Sequence, residues 1–159
     1  MKEITLTQGK IALVDDEDYE YLMLYAKRWQ AVRATSGSWY AVGHKKMSGA
    51  GGQQYMHRVI LRAPSRRHVD HKNRNTLDNR RMNLRFASRA QNGWNRGVLV
   101  SNTSGFKGVN KFRSRWQARI TVDCKRIFIG YFDTPNAAAK AYDEHAKRLH
   151  GSFACLNFS

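Results

Sequence analysis

Residues 69–85 read V-D-H-K-N-R-N-T-L-D-N-R-R-M-N-L-R, and they determine how the rest of the chain is interpreted. Asp70 and His71 stand side by side at the end of a short segment typical of a strand. Asn83 begins a second brief strand, and Asn92 follows nine residues later. A carboxylate, an imidazole and amide oxygens are the groups that hydrolytic and metal-binding sites use. This stretch is therefore the first candidate for a functional site.

Ser88 and Gln91 have the spacing of a capping box, in which each side chain accepts a hydrogen bond from the other residue's backbone N–H. The box predicts a helix that carries Asn92 in its first or second turn. A strand, a loop, a strand and a helix in this order can fold a hairpin against the helix. Asp70 and Asn92 would then converge as oxygen ligands, which suit a hard divalent ion such as Mg²⁺.

The chemistry predicted for this segment is hydrolysis with one metal ion and one base. His71 can take a proton from water that attacks a phosphodiester, while the ion stabilises the developing charge and the leaving 3′ oxygen. Taken singly, each residue has a structural alternative: Asp70 and His71 can end a surface strand, and Asn83 and Asn92 can be turn and cap residues. Their joint spacing favours the nuclease site.

The segment resembles the HNH homing endonucleases, specifically the phage type with a ββα-metal fold. The resemblance covers about 40 residues and rests on the stretch quoted above with the later Q-N pair. It implies that His71 is the general base and that Asp70 and Asn92 are ligands of one divalent ion, most simply Mg²⁺. It also implies that Asn83 holds the loop and orients the base. The cysteine pairs that bind structural zinc in some relatives are absent from this sequence.

The charge of the chain indicates a polyanionic partner. The 159 residues include 28 Lys and Arg against 12 Asp and Glu, a net charge of +16. The net charge is +1 over residues 1–56, +9 over 57–100 and +6 over 101–159, which favours nucleic acid as the partner of the last two thirds. The central segment has more arginines than a core can hold, and most are expected to meet phosphates. Four of them are assigned to DNA contact: Arg80, Arg81, Arg85 and Arg89.

Composition excludes other classes of protein. A hydrophobic content of 42% is enough to form a core, which argues against a disordered basic tail. The sequence has neither a run of about 18 apolar residues nor the apolar stretch of a signal peptide, so we expect no membrane contact and a cytoplasmic location in a phage-infected or bacterial cell. Cys124 and Cys155 form no C-x-x-C pair, which argues against a zinc ribbon or a disulfide framework.

Residues 105–159 follow a different pattern. Strands are predicted from Phe106, over 115–122 and over 125–132, and a helix is predicted from Pro135 to the residue before Gly151. The result is a three-stranded antiparallel sheet that packs on one helix and leaves a face with arginines open. A sheet of this kind can enter the major groove, where Arg pairs with guanine and Gln or Asn with adenine.

This module resembles the plant Apetala-two/ERF DNA-binding domain over about 55 residues. The likeness is carried by S-G-F-K-G-V, W-Q-A-R-I, I-G-Y-F-D-T, A-A-A-K-A-Y-D and G-S-F-A-C-L-N-F. Several arginines of the family are replaced here, so its GCC-type target is not transferred. By position in the family pattern, the residues implied to face DNA are Lys107, Asn110, Phe112, Arg113, Arg115, Arg119, Thr121, Arg126, Phe128 and Tyr131.

The sequence predicts an α+β protein in four parts. An N-terminal α/β scaffold with solvated acids, a strand over 38–42 and a loop over 49–52 is expected at 1–56. The ββα-metal nuclease core is expected at 57–97, a linker at 98–104 and the DNA-binding domain at 105–159.

We expect a metal-dependent DNA endonuclease of the HNH homing type that hydrolyses phosphodiester bonds in double-stranded DNA. Sequence recognition is assigned to the C-terminal sheet. No obligate small-molecule cofactor is expected, and the oligomeric state stays open. One alternative is a DNA-binding regulator with an inactive nuclease remnant. The other is an RNA-binding or ribosome-associated protein.

Overall fold

A computed structural model describes residues 1–45 and 52–158, and the predicted loop at Gly49, Ala50 and Gly51 lies outside them. The chain forms two compact units, Met1–Ala87 and Ser88–Ser159. Helices and antiparallel sheets occur in both, which confirms the α+β class. The packing boundary falls between residues 87 and 88, whereas the sequence predicts domain boundaries near 56 and 97. No helix in the described part of the chain is long and apolar enough to cross a bilayer.

The first unit consists of short antiparallel sheets and two helices. β1 pairs with β2, β4 lies between β3 and β5, and β6 pairs with β7. In chain order the elements are β1 (Lys2–Thr5), β2 (Ile11–Val14), α1 (Asp16–Tyr25), β3 (Ala26–Arg33), β4 (Trp39–Lys45), β5 (Gln53–Tyr55), α2 (Met56–Ile60), β6 (His68–His71) and β7 (Leu84–Ala87).

One hydrophobic core joins the scaffold of the first unit to its site-bearing hairpin. Met56 and Ile60 of α2 and Leu84 of β7 belong to the same buried cluster as Leu22 and Trp29. Trp29 also donates its indole N–H to the carbonyl oxygen of Leu22 at 3.1 Å. A division after residue 56 would cut this core, which is why residues 1–87 pack as one unit.

The acidic cluster at the start of α1 is only partly solvated, contrary to the expectation from the sequence. Asp16 and Glu17 are exposed, but Asp18 is buried. Its carboxylate accepts two hydrogen bonds from the Arg81 guanidinium, at 2.8 Å and 2.6 Å. The backbone N–H of Arg81 donates to Asp15 at 2.7 Å. These contacts tie α1 to the turn that precedes β7.

The second unit begins with a short helix and continues with a sheet backed by a longer helix. The sheet has the order β10-β9-β8, all antiparallel, and α4 covers one face through residues such as Ala138 and Tyr142, as the sequence predicts. The elements are α3 (Arg89–Trp94), β8 (Val109–Phe112), β9 (Arg115–Val122), β10 (Lys125–Phe132) and α4 (Pro135–His150).

The first strand of this sheet begins at Val109, not at Phe106 as predicted. Gly105 and Gly108 have φ angles of +76° and +75°, which an extended strand does not accommodate. The side chain of Asn102 accepts hydrogen bonds from the backbone N–H groups of Ser104 and Gly105 at 2.9 Å and 2.8 Å. The C-terminal part of the predicted linker at 98–104 is thus built into the turn before β8.

Gly108 is required for close packing, and Gly105 provides a matched control because its backbone angle is nearly the same. A Cβ at Gly108 would lie 2.1 Å from Cδ2 of Tyr142 and 2.7 Å from the carbonyl oxygen of Arg119. A Cβ at Gly105 would have nothing within 4 Å. We expect Gly105→Ala to lower the free energy of unfolding by about 1 kcal/mol and Gly108→Ala by at least about 3 kcal/mol. Urea unfolding of the full chain measures both, and equal losses would show that backbone strain alone is responsible.

Candidate functional site

The β6–β7 hairpin places Asp70 and His71 at the end of a strand, where both are buried. Asp70 lies opposite Arg85, and His71 lies opposite Leu84. The Oδ2 atom of Asp70 accepts hydrogen bonds from Nε of Arg85 at 2.8 Å and from Nη2 at 2.7 Å. Both nitrogens of Arg85 thus converge on one carboxylate oxygen, and this charge-assisted contact holds Oδ2 of Asp70 beside Arg85.

Asn83 closes the loop that joins β6 to β7. Its Oδ1 atom accepts from the backbone N–H of Asn73 at 2.9 Å, and its Nδ2 atom donates to the carbonyl oxygen of Asp78 at 2.7 Å. Asn73 in turn donates to the Asp78 carboxylate at 2.8 Å, and Arg80 forms an ion pair with that carboxylate at 2.7 Å. Asn83 therefore joins two distant points of the loop next to His71.

Asn79 contacts the His71 imidazole, and it is absent from the residues that the sequence singles out. Its Oδ1 atom lies 3.3 Å from Nε2 of His71, and its Nδ2 atom donates to the carbonyl oxygen of Leu77 at 3.1 Å. Because the amide nitrogen faces a carbonyl, the amide oxygen faces the imidazole. Nε2 of His71 therefore donates its proton to Asn79, and the lone pair is on Nδ1.

The ring of His71 is packed among other rings. The centroid of His57 lies 5.0 Å away at an interplanar angle of 82°, and that of Tyr40 lies 6.3 Å away. Burial lowers the pKa of His57 to about 3, helped by the nearby His71 and Arg58. His57 is thus uncharged at neutral pH and acts as a packing group.

Burial also lowers the pKa of His71. The hydrogen bond with Asn79 and the negative charges of Asp70 and Asp78 oppose this effect and raise the pKa. Because burial has the larger effect, His71 is unprotonated at neutral pH. An unprotonated imidazole with its lone pair on Nδ1 can accept a proton.

Asn92 lies on α3, in the second unit, and the predicted capping box is confirmed. The hydroxyl of Ser88 accepts from the backbone N–H of Gln91 at 3.1 Å, and the Gln91 side chain accepts from the N–H of Ser88 at 2.8 Å. The amide of Asn92 is half-buried. Its pairing with Asp70 as a metal ligand stays a prediction.

The end of α3 is held by residues of the same unit. The ring of Trp94 stacks on His150, with centroids 4.4 Å apart and an interplanar angle of 9°. The ammonium of Lys107 donates to the carbonyl oxygen of Trp94 and to that of Arg96, the latter at 2.6 Å. The Lys107 ammonium thus caps the carbonyl end of a helix, and its contact with DNA stays a prediction.

Three of the four central arginines assigned to DNA have carboxylate partners inside the first unit. Arg80 pairs with Asp78, Arg81 with Asp18 and Arg85 with Asp70. Each guanidinium balances a buried carboxylate, and contact of these three side chains with DNA stays a prediction. Arg89, on α3, is exposed.

The open face of the C-terminal sheet brings the other predicted contact residues together. The strand register sets Arg119 opposite Phe128 and Thr121 opposite Arg126. Asn110 lies opposite Gln117, and Phe112 lies opposite Arg115. Residues opposite each other share a face, and the intervening residues Val109, Ala118 and Ile120 are buried on the α4 side. Arg113 lies in the turn between β8 and β9 with a φ of +53°.

Comparisons with known proteins indicate two different likenesses. The HNH endonuclease family matches residues 54–94. Protein 3.8 of Escherichia phage T7 is 34% identical to this chain over 93 residues, which are 57% of this chain and 76% of that protein. The uncharacterized HNH endonuclease L560 of Acanthamoeba polyphaga mimivirus is 33% identical over 113 residues, 67% of this chain and 58% of the viral protein.

The C-terminal region is similar to plant proteins. APETALA2-like protein 2 of Oryza sativa subsp. indica is 42% identical over 62 residues, 37% of this chain and 14% of the plant protein. The chain thus spans a small part of that relative. Together, the two likenesses confirm the predicted combination of an HNH segment with an Apetala-two-like segment.

The buried His57 gives the first unit a predictable dependence on pH. Its pKa of about 3 in the folded chain lies below the ordinary value of 6.5, so the unfolded chain binds more protons between these values. The free energy of unfolding is therefore highest above pH 6.5 and falls as the pH is lowered toward 3. The slope that His57 contributes is at most about 1.4 kcal/mol per pH unit.

We expect His57→Gln to flatten this dependence in urea unfolding of the full chain at pH 4.5, 5.5 and 6.5. The matched control is His68→Gln, at an exposed position of β6, which should keep the wild-type slope. A His57→Gln variant with the wild-type slope would show that His57 is not the group that resists protonation.

Proposed function

Because this chain belongs to the HNH endonucleases, we propose that it hydrolyses double-stranded DNA with one divalent metal ion and recognises its site through the C-terminal sheet. The family membership makes it a nuclease, a hydrolase that acts on DNA. The observation that carries the proposal is the buried His71 imidazole, held at Nε2 by Asn79 beside the Asp70 carboxylate.

His71 is the general base in this proposal. Nδ1 accepts the proton of a water molecule that attacks the phosphorus, and the proton bound to Nε2 stays shared with Asn79. The amide oxygen of Asn79 then stabilises the imidazolium that forms. Packing by His57 and Tyr40 keeps the ring in one orientation, so little reorganisation is needed when the proton moves. Asn83 supports the base by closing the loop next to it.

In this proposal Asp70 and Asn92 are the ligands of a hard divalent cation such as Mg²⁺. Asp70 offers a carboxylate oxygen and Asn92 an amide oxygen, and both are ligand types that Mg²⁺ prefers over soft metals. Arg85 holds Oδ2 of Asp70 and so positions the carboxylate. When bound, the ion supplies positive charge for the transition state and for the leaving 3′ oxygen.

Recognition is assigned to the open face of the C-terminal sheet. Arg119 and Arg126 have no carboxylate partner among the described residues, unlike Arg115, which pairs with the exposed Asp133 at 3.1 Å. Unpaired guanidinium groups on a sheet can form paired hydrogen bonds with base edges in the major groove. The likeness to plant APETALA2-like proteins supports this assignment. The phage T7 relative supports action inside an infected bacterial cell.

Cleavage of supercoiled plasmid DNA with Mg²⁺ tests the nuclease mechanism. The wild type should cut, and a chelator should abolish cutting. His71→Gln should lower the cleavage rate by about 10²- to 10⁴-fold, because the proton acceptor is lost. Asn79→Leu should lower it by about 10- to 100-fold with little change in KM, because the substitution removes orientation of the base and not DNA contact.

His68→Gln is the matched control for the cleavage assay and should cut at the wild-type rate. Unchanged cutting by His71→Gln would overturn the base assignment. A wild type that binds DNA but cuts none would favour the alternative of a DNA-binding regulator with an inactive nuclease remnant.

Fluorescence anisotropy with duplex DNA tests recognition by the sheet. Replacement of Arg119 and Arg126 by Met should reduce the selectivity of the protein among duplexes of different sequence. The expected loss is about 1–3 kcal/mol of binding free energy for each base-edge contact removed. If residues other than Arg119 and Arg126 neutralise about 8 phosphates, the log–log slope of binding affinity against salt concentration should be about −7 for both the wild type and this variant.

Arg148→Met, at an exposed position of α4, is the matched control for the sheet variant. It should keep the wild-type selectivity. A loss of salt dependence without a loss of selectivity in the sheet variant would reassign the two arginines from bases to phosphates.

A further inference from the structure

Three aromatic side chains pack together on the open face of the C-terminal sheet. Phe112, Phe128 and Tyr131 are 44%, 51% and 40% exposed. The ring of Tyr131 lies 5.4 Å from that of Phe112, at an interplanar angle of 28°, and 4.9 Å from that of Phe128, at 59°. These three residues are called the aromatic ridge.

The strand register explains how the ridge forms. A register shift between Phe128 and Gly130 interrupts the alternation of β10, so Phe128 and Tyr131 reach the same face. Phe112 comes from β8, and the ridge therefore crosses the middle strand. Gln117 of that strand is 5% exposed, and its Nε2 donates to the hydroxyl of Tyr131 at 3.3 Å. Because Gln117 is buried, the rings and not this amide form the surface.

The ridge is placed for contact with an outside partner. Its residues are on the face opposite α4, so they contribute little to the core of the unit. Cationic side chains border it: Arg119 and Arg126 share its face, and the Arg113 guanidinium lies 5.7 Å from the Phe112 ring centroid. An exposed apolar cluster among arginines fits a partner that presents apolar groups between negative charges.

Thymine is the base that presents such an apolar group in duplex DNA. Its C5-methyl group projects into the major groove, where apolar side chains such as Phe can contact it. Asn110 and Thr121 lie on the same face, and Asn suits adenine in the same groove. We propose that the aromatic ridge contacts thymine methyl groups and gives the sheet a preference for A·T pairs. This inference rests on the proposed function, in which the sheet reads the major groove.

The packing of the rings favours methyl contact over stacking on an unpaired base. Proteins that bind single strands present aromatic faces on which successive bases stack. Here Tyr131 packs against both phenylalanines, so the rings form one continuous apolar surface. A continuous surface excludes water from a methyl group at any point along it.

Replacement of thymidine by deoxyuridine tests the proposal, because it removes the methyl group and keeps every hydrogen-bonding atom of the base edge. Duplexes are first selected with the full-length protein from a random 30-bp pool, with a chelator in place of Mg²⁺ so that bound DNA stays intact. The enriched duplex is then made with dT or dU. The wild type should bind the dU duplex about three- to tenfold more weakly, since one buried methyl group corresponds to about fourfold in affinity.

Variants of the ridge complete the test as a double-mutant cycle. Phe128→Ala should bind the dT and dU duplexes equally, whereas Phe128→Leu, which keeps an apolar side chain and guards against loss of folding, should retain part of the preference. Tyr21→Ala, at an exposed aromatic position of α1, should keep the wild-type ratio. Circular dichroism establishes that each variant is folded.

Equal binding of the dT and dU duplexes by the wild type would overturn the proposal. A Phe128→Ala variant that keeps the preference for the dT duplex would also overturn it. Tighter binding of the wild type to single-stranded oligothymidine than to the duplex would do the same. These outcomes leave the nuclease mechanism intact, because that mechanism is read separately from Mg²⁺-dependent cleavage of the dT duplex. If no duplex is enriched, recognition by the sheet fails together with this inference.

Discussion

Buried polar side chains next to His71 must find their hydrogen-bond partners inside the protein, and this requirement organises the first unit. Asp70, His71, Asp78, Asn79 and Asn83 are all at most 8% exposed. An unsatisfied buried polar group costs about 1–3 kcal/mol, and a buried charge costs more. The loop between β6 and β7 therefore adopts the conformation in which these groups satisfy one another. The contact with Asn79 also fixes the tautomer of the imidazole, so the hydrogen bonds that folding requires also orient the proposed base.

The arginines follow from the same requirement. A buried carboxylate is stabilised by a nearby cation. Arg81 is that cation for Asp18, which lies 63 residues earlier in the sequence, and Arg85 is the cation for Asp70. Positive charge used in this way contributes less to the field that attracts DNA. The net charge of +9 over residues 57–100 thus overstates what that segment offers to phosphates. On the open face of the C-terminal sheet, Arg119 and Arg126 have no carboxylate partner among the described residues, so more of their positive charge is available to an anionic partner.

Local patterns in the sequence predict local structure well. The alternation over 115–122, the strand predicted over 125–132, the capping box and the proline at the start of α4 all mark elements that form as expected. Contacts that depend on distant partners are not predictable in this way. A lysine in a DNA-binding pattern gives no sign that it caps a helix, as Lys107 does, and Asn79 looks like an ordinary turn residue. The aromatic ridge depends on a register shift that strict alternation excludes.

The two packing units do not coincide with the four parts that the sequence predicts. The helix α3, which carries the proposed ligand Asn92, stacks Trp94 on His150 and is capped by Lys107, so it is part of the unit that contains the sheet. A deletion that begins at Gly105 removes both of these partners. The position of Asn92 therefore depends on the folding of the second unit. A division at residue 97 would therefore separate α3 from the residues that hold its C-terminal end.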